Sequence, residues 1–213
     1  MLYFILVGAI LMKKIIFITI TAILLLTACN QSRIEIAPGY GNVVEDFEVT
    51  DQNNKKFSEE DLKGTVTLVD FIFTNCETVC PPMTHNMASV SDQLEEEGIT
   101  DYQIVSFSVD PENDKPKNLK EYIKKYNVPE DKWSLVTGYD YDFIRSFAEH
   151  NFKTIVAPPP EGSDQVTHGT SFYLLDQEGK VIKTYSGVDS GDKKFPQEEI
   201  VLDVKTVISE GPM

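Results

Sequence analysis

Hydrophobic positions along the chain fall into two kinds of pattern. Thr65–Phe73, TVTLVDFIF, is apolar or β-branched at nearly every position, as a strand covered on both faces should be. Tyr102–Asp110, YQIVSFSVD, reads as a second strand of that kind. Between them Met83, Met87, Val90 and Leu94 recur at i, i+4, i+7 and i+11, one face of a helix. Further along, the pattern predicts a helix over Lys117–Tyr126, a short strand at Trp133–Gly138 and a helix over Asp140–Glu149. SFYLLDQEGKVIKTYSG then gives two strands around a turn at Glu178-Gly179. Pro196–Ile208 closes as a helix with its proline near the first turn. Upstream, VVEDFEVTD alternates weakly and reads as a strand or one arm of a hairpin. Ala157–Thr167, with three prolines and a glycine, is a loop, and it leads directly into His168. The order is that of an α/β domain with a central mixed sheet flanked by helices, in thioredoxin-like sequence, with a hairpin or strand added at the N-terminus.

The first residues follow a different logic. MKKIIFITITAILLLTAC, Met12–Cys29, carries two lysines, an apolar run and then small residues, which is the build of a secretory signal. Met12 suits the start of such a signal better than Met1. The cysteine after Leu26-Thr27-Ala28 fits a bacterial lipobox, in which Cys29 is lipidated and becomes the first mature residue. A plain transmembrane anchor is the other reading, but Ile15–Ala28 is short for a span. The expected organisation is therefore 1–29 as signal and lipobox, 30–42 as a polar tether and 43–213 as the folded domain. It would sit at the outer face of a bacterial cytoplasmic membrane, where thiols tend to be oxidised.

Composition narrows the function classes. The chain has 213 residues and a formal charge of −15 at pH 7, so its surface repels phosphate backbones and no nucleic-acid partner is expected. Of three cysteines, a lipidated Cys29 would leave Cys76 and Cys80, enough for one disulfide at most.

These two lie in FTNCETVCPPMTHN, three residues apart, with Pro81 directly after Cys80. A residue before proline is biased away from helical angles, and proline suits a first helical turn. The helix should thus begin at about Pro81 with Cys80 at its cap, and Cys76 in the loop after strand Thr65–Phe73. Both sulfurs then stand at a helix N-terminus beyond the C-terminal sheet edge, where α/β sheets place ligand sites and where the dipole favours thiolate. One helical turn would separate their α-carbons by roughly 6 Å, within disulfide range. The same pair can hold a soft ion such as Cu(I), zinc or an iron–sulfur centre. A purely structural bridge over so short a loop would add little. Of the three histidines, His85 falls in the cysteine helix, His150 reads as a surface cap at a helix end, and His168 stands where the proline loop meets strand Ser171–Asp176. A histidine there can face both sulfurs; a surface or packing role is the other reading of His168.

DFIFTNCETVCPPMTHNM, with SFSVDPENDKPKNLKEYIKKY and THGTSFYLLDQEGKVIKTYSG, resembles the Sco/SenC proteins over about Val43–Ser209. These are thioredoxin-fold copper proteins needed to assemble the dinuclear copper centre in subunit II of cytochrome c oxidase. The resemblance implies that Cys76 and Cys80 occupy the copper-thiolate positions and His168 the imidazole position, for Cu(I) or Cu(II). It implies that Asp110 lies near the copper and supports the ligands. Thioredoxin relatives carry a cis-proline before the strand that here begins near Ser171; this chain has Gly169-Thr170, which weighs against broad disulfide exchange. Two chemistries stay open on the same atoms. One is a copper carrier, not an enzyme, that serves the oxidase subunit. The other is a thiol–disulfide oxidoreductase that reduces that subunit's cysteines. A thiol–disulfide reductant or another copper carrier would be a further partner, and the membrane would be reached through the lipid anchor. Peroxide reduction ranks below both, because Phe73-Thr74-Asn75 does not supply a Thr-x-x-Cys motif at Cys76.

Overall fold

The computed structural model describes residues 34–126, 128–129 and 131–213. The signal segment, Cys29 and residues 30–33 lie outside them. Seven strands form one sheet: β1 (Glu48–Asp51), β2 (Lys56–Ser58), β3 (Val66–Ile72), β4 (Tyr102–Ser108), β5 (Trp133–Thr137), β8 (Ser171–Leu175) and β9 (Val181–Ser186), in the spatial order β2-β1-β5-β4-β3-β8-β9. β3, β4 and β5 run parallel; β8 is antiparallel to β3 and to β9, and β1 is antiparallel to β5 and β2. Two short strands, β6 (Val156–Ala157) and β7 (Thr167–His168), pair with each other apart from this sheet. Among the described residues four α-helices complete the domain: α1 (Cys80–Glu96), α2 (Pro116–Ile123), α3 (Tyr141–Phe152) and α4 (Gln197–Glu210). This is the expected thioredoxin-like fold around a mixed sheet, with the β1–β2 hairpin added at one edge.

The buried pattern explains the central strands. Every residue of β3 is buried, including Thr67 and Asp70. On one face Phe71 and Phe107 meet Phe147 and Phe152 of α3, with the Phe71 and Phe152 rings 5.2 Å apart and edge-on. On α1, Met83, Met87, Val90 and Leu94 are all fully buried, as the spacing predicts. The turn between β8 and β9 closes with Gly179 N–H on the Asp176 carbonyl, at a φ of 78° that suits glycine.

Four boundaries differ from the sequence reading. Lys56–Ser58 is the second arm of the N-terminal hairpin, too short and polar to register as a strand. α3 continues past Glu149 to Phe152, because Phe152 is fully buried against the sheet and Lys153 closes the helix in a left-handed conformation. α1 starts at Cys80, one residue before Pro81. Pro81 and Pro82 occupy first-turn positions where no intrahelical N–H bond is lost, and the Cys80 N–H is taken by the Cys76 sulfur at 3.3 Å, which offsets the bias of a residue before proline. Finally, the proline loop is pinched at its base, with Val156 opposite His168 and Ala157 opposite Thr167.

From Ala37 the segment read as a tether lies along β9: the Ala37 N–H donates to the Ile182 carbonyl and the Gly41 N–H to Val181, both at 2.8 Å.

Candidate metal centre

Three chain segments converge beyond the C-terminal ends of β3 and β4. The loop after β3 is held by Asp114, buried after β4. Its carboxylate accepts from the Thr74 N–H (3.1 Å), the Thr74 hydroxyl and the Ser108 hydroxyl (2.7 Å). Two residues on, the Cys76 N–H donates to the Phe73 carbonyl at 3.3 Å, turning Cys76 back toward the helix start. Cys80 is fully buried and Cys76 is 8% exposed, so only one sulfur faces outward.

His168 arrives from β7. Its Nδ1 lies 2.9 Å from the Gly169 carbonyl, an acceptor, so Nδ1 carries the proton and Nε2 keeps its lone pair. That Nε2 is 3.3 Å from the Cys80 sulfur. Phe73 stands edge-on to the imidazole, ring centroids 5.7 Å apart, and limits its tilt. Gly169 is required here, since a Cβ on it would come within 2.1 Å of the Thr154 hydroxyl. Among the described residues, Cys76, Cys80 and His168 form a group whose donor atoms all lie within 4.8 Å of one another.

The two thiols are unequal. The hydrogen bond from the Cys80 thiol pulls the Cys76 pKa well below the ordinary thiol range, against its partial burial and with further help from backbone N–H groups. The Cys80 pKa rises for the complementary reasons, its bond to the Cys76 sulfur and its own burial. Cys76 is thus the sulfur that ionises first. Two soft sulfurs and one imidazole in this arrangement fit a copper ion: Cu(I) suits thiolate ligation, and Cu(II) gains from the nitrogen.

Asp110 is not in the three-donor group. It is buried at the end of β4, both carboxylate oxygens 3.0 Å from the Asn113 amide nitrogen, and borders a polar cleft with Thr74, Asn75 and Asp164. His85 is exposed on α1, and His150 is exposed in the last turn of α3 with its Nδ1 3.8 Å from Glu45. One residue beneath the site escaped the sequence reading. Asp70, fully buried in β3, is pushed up to about 6 by burial, opposed by a hydrogen bond from Ser106 and the field of His168. Its Oδ2 has no hydrogen-bond partner. The signal was an acid inside an otherwise apolar, doubly covered strand.

The SCO1/SenC family model matches residues 37–208. The chain belongs to the SCO1/SenC family. Among relatives, the SCO1 protein homolog of Bacillus subtilis is 48% identical over 183 residues, 86% of this chain and 91% of that protein. A SCO1/SenC family lipoprotein of Bacillus anthracis has a crystal structure that superposes with a TM-score of 0.74 at 47% identity, over 80% of this chain and 98% of the other. BsSco, described as a member of the Sco family of cytochrome c oxidase assembly proteins with a disulfide switch, gives 0.72 at 47% identity over 83% and 99%. Arabidopsis thaliana ScoI, solved with copper bound, gives 0.65 at 26% identity over 79% and 99%. The thioredoxin-like fold expected from the element order is that of these SCO1/SenC proteins.

Proposed function

We propose that this SCO1/SenC protein binds one copper ion through Cys76, Cys80 and His168 and delivers it for assembly of the dinuclear copper centre in subunit II of cytochrome c oxidase. The observation that carries this reading is the imidazole: its free Nε2 lone pair lies 3.3 Å from the Cys80 sulfur, and its other nitrogen is held by a carbonyl. A plain dithiol exchanger has no use for a nitrogen ligand fixed in that way. The copper-bound Arabidopsis relative and the oxidase-assembly role of BsSco support the same reading. Asp110, bonded to Asn113, shares the adjoining cleft with Thr74 and Asn75 and is not itself a ligand on this reading.

The domain works from a lipid on Cys29, at the outer face of the cytoplasmic membrane. Supports are the Leu26-Thr27-Ala28-Cys29 motif and the lipoprotein relative of Bacillus anthracis. No helix among the described residues is long and apolar enough to cross a membrane.

A second reading rests on the unequal thiols. The Cys76 thiolate attacks one sulfur of a disulfide in the recipient and expels the other as thiolate, forming a mixed disulfide. The Cys80 thiol gives up its proton and displaces the recipient's remaining sulfur. Two electrons leave this protein, which ends with a Cys76–Cys80 bond, and the recipient ends as a dithiol ready for copper. A thiol–disulfide reductant would restore the pair.

One experiment separates the two. The copper-loaded protein is mixed without oxygen with the reduced, copper-free soluble domain of oxidase subunit II. Copper on each partner and free thiols are then counted. Delivery predicts that copper moves and all thiols survive. If the recipient gains copper only when offered as a disulfide, with Cys76–Cys80 oxidised in step, reduction is the primary activity.

A further inference from the structure

The loop bearing Cys76 and the loop bearing His168 are tied together at the surface. The Asn75 side-chain amide donates to the Asp164 carboxylate at 2.7 Å. Gln165 reaches further: its Nε2 donates to the Asn75 carbonyl at 3.0 Å, and its Oε1 accepts from the Glu77 N–H at 3.3 Å. One amide side chain therefore grips the backbone on both sides of Cys76. Three residues later the same segment presents His168, with Val166 buried between them and Thr167 paired to Ala157.

We propose that Gln165, with Asp164 and Asn75, is a latch that presets His168 over the cysteine pair before any ion arrives. The proposal rests on the reading that His168 is a copper ligand. β7 has two residues and follows a proline-rich loop, so the main-chain pairing of β6 and β7 alone does not set how far the imidazole stands from the sulfurs. An isolated surface hydrogen bond contributes little. A side chain that satisfies a carbonyl and an N–H flanking one ligand, while its own segment carries another, fixes the relative position of the two. That lowers the ordering cost when an ion binds, as supporting hydrogen bonds do at metal sites generally. The latch acts on the nitrogen arm, so it governs Cu(II), which gains from the imidazole, more than Cu(I), which two thiolates can hold. Gln165 is a positioning residue and touches no ion.

The test uses the reduced full-length protein in detergent and Gln165→Met, which keeps side-chain length and removes the hydrogen bonds to Asn75, Glu77 and Asp164. In the metal-free protein, nuclear Overhauser contacts between the Phe73 and His168 rings report the preset geometry, and contacts between Phe71 and Phe152 confirm an intact core. The wild type should show both; Gln165→Met should keep the core contact and lose most of the Phe73–His168 contact. Its Cu(II) dissociation constant should rise about tenfold, with a smaller change for Cu(I). An unchanged ring contact, or a lost one with unchanged Cu(II) affinity, overturns the latch. If neither protein binds copper while the ring contact still responds to Gln165→Met, the latch stands and the copper reading fails.

Discussion

The two arms of the candidate metal centre are built in opposite ways. The cysteine arm grows out of the core: β3 is buried along its whole length, Cys80 is fully buried, and α1 seats four large side chains directly below it. The histidine arm is a proline loop on a pair of two-residue strands, with Ile155 72% exposed at its base and its ties made by the exposed Asn75 and half-buried Gln165 amides. On the proposed reading, the donor pair for soft copper is placed where the fold is most deeply buried. The third donor sits where small changes can release it. On the carrier reading this division is useful, because moving the adjustable ligand opens a coordination position for a recipient's donor while the rigid pair keeps the ion.

The comparison can be broken most sharply at the cysteine arm. Cys80→Ser should weaken copper binding by roughly 100-fold or more, beyond the 10–100-fold cost typical of losing a mere supporting partner. Competition against a chelator of known affinity measures it, and near-wild-type binding would place the ligands elsewhere. Stability should divide in the same way. Met87→Ala, in the core below the cysteines, should lower unfolding free energy by about 2–5 kcal/mol. Val166→Ala, in the histidine arm, should cost no more than about 1.5 kcal/mol. Urea unfolding of the two variants decides, and equal losses would erase the distinction between arms.

Asp70 tests how far the core reaches into the site. Its folded pKa is raised from 3.8 to about 6, so its contribution to stability is fully present below the ordinary value and is lost as pH rises through about 6. A rise of that size corresponds to about 3 kcal/mol. Asp70→Asn cannot ionise, so its stability relative to wild type should improve by about that amount between pH 4 and 7. Parallel pH profiles would mean that the carboxyl ionises as freely in the fold as outside it. A smaller effect concerns reactivity. With its pKa depressed, Cys76 should be alkylated by iodoacetamide at a rate that barely falls from about pH 8 to pH 6, while Cys80 stays unreactive. A rate falling tenfold per pH unit would show an ordinary thiol.

The cysteine arm was also the more legible in sequence. An unbroken apolar strand, the 83-87-90-94 stripe and two prolines after Cys80 each carry a local physical signal, and they located the sulfurs to within one residue of the helix start. His168 was legible only by its place before a strand, since nothing local distinguishes a ligand from a surface histidine. β2 and the β6–β7 pair were missed because two or three residues carry no periodicity, and their pairing is set by distant partners. Asp70 carried a signal that went unused, an acid inside an apolar strand, but Asp114 and Gln165 were invisible for a related reason. Each acts through contacts between segments dozens of residues apart in sequence, such as Thr74 with Asp114 or Asn75 with Gln165.

The central claim is that one imidazole and two thiolates share the ion, and electron paramagnetic resonance of Cu(II)-loaded protein tests it most directly. Wild-type protein should take up one Cu(II) per chain, with a sulfur-to-copper charge-transfer band and hyperfine coupling to one imidazole nitrogen. His168→Ala should lose that nitrogen coupling and bind Cu(II) at least tenfold more weakly, an effect of the size expected for removing a ligand rather than its support. An unchanged spectrum and affinity in His168→Ala would contradict the account, leaving the cysteine pair as a site without its histidine arm.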